Sequence, residues 1–74
     1  MKNSKEVRLF GERFRELRKA ANLSQEQLSW EADIGLRTIQ RIEAGQNAAS
    51  IDLIYSIAKA LKINPIEFFK YSET

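Results

Sequence analysis

The 74-residue chain contains no cysteine and no histidine, and only one proline and three glycines. Without cysteine there is no disulfide staple and no thiolate zinc site. Without histidine the commonest general base and the commonest nitrogen ligand for a metal are gone. Neither a clustered carboxylate pair nor a glycine-rich phosphate loop is present, so an enzyme and a bound cofactor are not expected. No apolar run reaches the roughly 20 residues that cross a bilayer. The segment Met1 to Arg8 lacks the apolar stretch of a signal peptide. A cytoplasmic protein without a membrane partner is expected. At this length there is room for one domain, 1–74, and none for a separate small-molecule sensor.

What is present favours helices. Hydrophobic residues make up 43% of the chain, a globular rather than a disordered composition. Net charge is only +2, but it is unevenly spread: residues 1–22 hold seven basic and three acidic side chains, residues 23–48 two basic and four acidic. Val7, Phe10, Phe14, Leu17 and Ala21 recur at spacings of three and four, one stripe of an amphipathic helix. Asn22 suits its left-handed end. Ser24-Gln25-Glu26-Gln27 fits a capping box opening a second helix, with Leu28 and Ala32 inside and a stop near Asp33. Gly35 can cap a third, with Ile39 and Ile42 inward and Gly45 just past its end. Ser50 caps a fourth, whose inner stripe is Ile51, Ile54, Ile57, Ala58 and Leu61. Asn64-Pro65-Ile66-Glu67 begins a short fifth helix running to about Tyr71. Only the ends, 1–5 and 72–74, are expected to be loose.

Two short helices joined by a tight turn, over about 24–44, have the build of a helix-turn-helix. Its second helix must offer one apolar edge to the body and one reading edge to a DNA major groove. Ile39 and Ile42 meet the first demand, and Arg37, Gln40 and Arg41 the second. Arginine pairs bidentately with guanine and glutamine with adenine, and Leu36 can pack on a thymine methyl group.

The runs Asn22-Leu23-Ser24-Gln25-Glu26-Gln27-Leu28 and Thr38-Ile39-Gln40-Arg41-Ile42-Glu43-Ala44-Gly45 resemble the phage-repressor and Cro family, also called the XRE family. Phe14-Arg15-Glu16-Leu17-Arg18 and the stretch from Ser50 to Phe69 extend the likeness over about residues 9–70. The resemblance implies an all-α, five-helix lambda-repressor-like fold and a transcriptional regulator bound to double-stranded DNA. It places Leu36, Arg37, Gln40 and Arg41 against bases. It assigns Gln25, Gly35, Thr38, Gln46 and Asn47, with Arg18 and Lys19 of the first helix, to the DNA backbone. Arg18 and Glu43 match a pair that ties helix one to the end of helix three. Three positions depart from the family: Gly35 where a hydroxyl residue is frequent, Asp33 where a glycine is, and Ala49 where a proline is.

Several residues have a plainer reading beside a functional one. Trp30 falls on the outer side of the second helix; packing back onto the first is the favoured reading, and contact with another molecule the other. One of Phe68 and Phe69 should seal the core. The exposed remainder with Tyr71 suggests a partner surface, so Phe68, Phe69 and Tyr71 are assigned to a homodimer on a palindromic operator. The competing function is an antitoxin or other protein-interaction module on the same fold.

Overall fold

Helix α1, Ser4–Ala20, forms along the stripe that carries Phe10 and Phe14. It ends where Asn22 turns left-handed, with φ 60°. In the computed structural model, which describes residues 3–71, three more helices follow: α2 Gln25–Ala32, α3 Leu36–Glu43 and α4 Ile51–Leu61. Their starts are chemically marked. Ser24 Oγ accepts from Gln27 N at 3.0 Å while Gln27 Oε1 accepts from Ser24 N at 2.7 Å, the reciprocal capping box. Ser50 Oγ accepts from Leu53 N at 3.1 Å. Helix α3 closes through Gly45 at φ 74°. There Gly45 N donates to Ile42 O at 3.0 Å and Gln46 N to Arg41 O at 2.9 Å, a Schellman end that a left-handed glycine supplies without strain.

Among the described residues the fifth element is not an α-helix. Pro65–Phe69 is a 3-10 helix, capped by Asn64 and finished before Tyr71. Its bonds close over three residues, Glu67 N donating to Asn64 O at 3.0 Å and Lys70 N to Glu67 O at 3.3 Å. At three residues per turn, Ile66 and Phe69 eclipse one another and face outward, 57% and 53% exposed, while Phe68 points in and is fully buried. Phe68 is therefore removed from the surface patch: it seals the core. The start of α1 at Ser4 also makes residues 4 and 5 helical. Asn3 stands exposed as the N-cap of α1, and the rest of the loose ends expected, 1–2 and 72–74, lies outside the described residues.

The core draws on all five elements: Phe10, Phe14, Leu28, Ile39, Ile42, Ile57, Ala58, Leu61 and Phe68. Rings of Phe10 and Phe14 lie 5.7 and 5.9 Å from that of Phe68. Helix α1 lies against α3 and the 3-10 helix, and α2 against α3 and α4. Two expected inner residues are outside. Ile51 is 73% exposed because the first turn of α4 borders an open groove, lined also by Val7, Phe10, Ile54 and Phe69. Trp30 is 78% exposed rather than packed on α1. Leu28 takes the inward position on α2, and two residues on the helix has rotated by about 200°.

Candidate nucleic-acid interface

Helices α2 and α3 are joined by three residues. Asp33 takes the left-handed conformation, φ 54°, that reverses the chain. Ser29 Oγ reaches across the turn and donates to Ile34 O at 2.5 Å. Helix α3 is then pinned by Ile39 and Ile42, 0% and 1% exposed. At about 100° per residue those anchors leave Arg37, Gln40 and Arg41 on the opposite edge, and all three are exposed, with Thr38 exposed beside them and Leu36 half-buried. Among the described residues neither Arg37 nor Arg41 is in an ion pair. The outer edge of α3 thus presents two guanidinium groups and an amide with no carboxylate among them.

Exposed groups flank that edge. The side chains of Gln46 and Asn47 stand in the loop after α3. Their backbone N–H groups are spent on Arg41 O at 2.9 and 3.4 Å, so only their side chains are free to donate. Gly35 caps α3 without a side-chain bond. On α1, Arg8 pairs with Glu12 at 3.3 Å, and Arg13 with Glu16 and Glu67 at 3.2 and 3.4 Å. Arg15 and Lys19 are exposed and unpaired among the described residues.

Arg18 does not belong to the backbone-contacting set. It is 6% exposed, and each guanidinium nitrogen is engaged. Nε donates to Glu43 Oε2 at 2.6 Å, Nη2 to Glu43 Oε1 at 3.0 Å, and Nη1 to Leu23 O at 2.8 Å. The expected pair is thus a bidentate, buried one, which excludes Arg18 from a phosphate. Gln25, assigned to a phosphate, donates from Nε2 to Glu43 Oε1 at 3.0 Å. Three further features escaped the sequence reading. Arg13 Nε donates to Glu67 O at 2.9 Å, fastening the 3-10 helix to α1. Lys70 Nζ lies 2.9 Å from Glu67 Oε2. That hydrogen bond chiefly, helped by the charges of Lys70 and Arg13 against some desolvation, holds the Glu67 carboxyl below its ordinary value of 4.5. Last, Gly11 sits where α1 and α3 touch: a Cβ there would run into the Ile42 carbonyl oxygen. A glycine inside an otherwise regular helical stripe was the available signal.

Among the described residues no cluster of acidic or other ligand side chains could hold a metal ion, and no helix is long and apolar enough to cross a membrane.

Comparison with known proteins adds a lineage to this geometry. A family model described as Helix-turn-helix matches residues 14–68. The control protein C.BamHI of Bacillus amyloliquefaciens is 37% identical over 65 residues, covering 86% of this chain and 80% of that protein. An uncharacterized transcriptional regulator in the ATPase CF(0) region of Rhodospirillum rubrum is 41% identical over 59 residues, 80% of this chain. The chain spans about half of that regulator, 54%. Among solved structures, the restriction-modification controller protein C.AhdI from Aeromonas hydrophila superposes with a TM-score of 0.83 at 39% identity, covering 86% of this chain and 97% of that one.

Proposed function

The chain belongs to the helix-turn-helix family, within its XRE branch, and from that premise we propose how it acts as a DNA-binding transcriptional regulator. Helix α3 enters the major groove of an operator. Arg37, Gln40 and Arg41 read base edges there, with Leu36 against a thymine methyl group. Thr38, the side chains of Gln46 and Asn47, the backbone at Gly35 and the Lys19 ammonium fix the register on phosphates. The observation that carries this reading is the pinned, acid-free outer edge of α3.

The regulator works in the cytoplasm as a homodimer on a palindromic operator, its half-sites one helical turn, about 34 Å, apart. Support for the dimer is the exposed apolar surface on α4 and the 3-10 helix. Ile51, Tyr55, Ile66 and Phe69 are each more than half exposed, and the groove beside them is apolar and reaches Tyr71. A surface of this kind marks a partner site. The likeness to the control protein C.BamHI and the restriction-modification controller protein C.AhdI supports a controller role in a restriction-modification system.

Selection from random duplex DNA at stated salt tests the whole reading, and an inverted repeat is expected. Affinity should fall by about 0.9 log units per log unit of salt for each phosphate neutralised. Arg41→Ala should cost about 1–3 kcal/mol and relax one base pair of each half-site, whereas Lys19→Ala should weaken all sequences alike. Unchanged site preference in Arg41→Ala would overturn the placement of α3. The 78% exposure of Trp30 favours a second reading, a protein partner on α2. Retention of the neighbouring gene's product by the immobilised chain, without a gel shift on its own upstream DNA, would select it.

A further inference from the structure

Helices α2 and α3 are joined at the three-residue turn and pack into one core through Leu28, Ile39 and Ile42. A second tie stands at their far ends. Gln25 is the first residue of α2 and Glu43 the last of α3, and Gln25 Nε2 donates to Glu43 Oε1 at 3.0 Å. An amide facing a carboxylate must present its NH2 side, so the bond is a charge-assisted one. The same Glu43 oxygen accepts from Arg18 Nη2 at 3.0 Å, and Arg18 Nη1 holds Leu23 O at 2.8 Å. Glu43 and Arg18 together therefore gather the end of α1, the loop before α2, the start of α2 and the end of α3.

We infer that Gln25 is a positioning residue for DNA selectivity: its bond to Glu43 sets the angle between α2 and α3 and thereby the aim of Arg37 and Arg41. It rests on the DNA-binding reading above and sets a positioning role for Gln25 against the phosphate contact expected of it. Base readout needs both guanidinium groups seated at once while the flanking residues hold phosphates, so it is sensitive to that angle. Non-specific binding rests on summed charge and is not. A neutral side chain that only positions should therefore change the ratio of the two affinities.

The experiment measures anisotropy of two labelled duplexes of one length, one bearing the selected operator and one scrambled, at fixed salt. Gln25→Met keeps the stem and removes only the amide. Its operator affinity should fall about tenfold, the scale of a hydrogen bond to a charged group, with the scrambled duplex bound as by wild type. Gln25→Glu, which sets two carboxylates together, should lose more. Adding Glu43→Gln to it restores a carboxylate–amide pair beside Arg18 and should recover part of the preference. All binding is read well below each variant's unfolding midpoint, so lost stability does not enter. Equal weakening on both duplexes in Gln25→Met would mean a phosphate contact and would overturn the inference. An unchanged ratio, or no recovery in the exchanged pair, would overturn it too. A wild-type protein with no preference between the duplexes would bring down the DNA-reading function as well.

Discussion

Removing the guanidinium of Arg18 should cost the protein a large share of its stability, and removing Glu43 along with it should largely restore it. Arg18→Met keeps a similar stem and deletes the charge. The Glu43 side chain, 3% exposed, then keeps only the Gln25 amide as a donor. A buried carboxylate stripped of its cation costs about 3–5 kcal/mol. A chain of 74 residues has about 4–11 kcal/mol to lose. With about 4–8 °C of midpoint per kcal/mol in a domain of this size, the melting temperature should drop by at least about 12 °C. The double variant Arg18→Met, Glu43→Leu removes both charges and keeps the volume. Isosteric apolar replacement of a buried pair is close to neutral or better, so it should return to within about 2 kcal/mol of wild type. Gln25, half-buried, can turn to water. Urea unfolding followed by circular dichroism gives all three free energies. A single variant that loses less than about 1 kcal/mol, or a double variant no more stable than the single, would refute the reasoning that charge burial rather than packing controls this site.

Gly11→Ala should destabilise by about 1–3 kcal/mol through overpacking, against the roughly 1 kcal/mol that alanine ordinarily gains in a helix. A stabilised variant in the same urea assay would mean that α1 and α3 lie farther apart than described. Phe69→Asp should weaken self-association in sedimentation equilibrium and leave the fold intact, whereas Phe68→Ala should cost about 3–5 kcal/mol of stability; equal behaviour of the two would undo the assignment of faces on the 3-10 helix. The depressed Glu67 carboxyl contributes stability above its ordinary value of 4.5 that is lost as pH falls through the lower, folded value. Glu67→Gln should remove that acid limb from a melting-temperature profile, and a limb of unchanged depth would assign it to other carboxylates. Trp30→Ala, at an exposed site, should shift unfolding by less than about 0.5 kcal/mol, and a larger loss would indicate packing the structure does not have.

Much of the molecule is legible in its order of residues. The stripe through Phe10 and Phe14, the Ser24–Gln27 capping box, the Ser50 cap, the left-handed turns at Asn22 and Asp33 and the glycine closing α3 are decided within about four residues of chain. So is the division of α3 into an Ile39–Ile42 anchor and an Arg37–Arg41 edge, because both follow from one helical period. What stayed hidden depends on how the helices cross. Nothing near Trp30 or Ile51 in the chain shows that no neighbour covers them. Choosing between Phe68 and Phe69 required knowing that the last element is a 3-10 turn, held in part by Arg13, 54 residues away. The role of Gln25 required Glu43, 18 residues on, to arrive beside it together with Arg18. Caps and periods are set by local dihedral angles and i to i+4 neighbours. Burial, and the partner of a long polar side chain, are set by the space several distant segments enclose, and only their mutual packing determines that space.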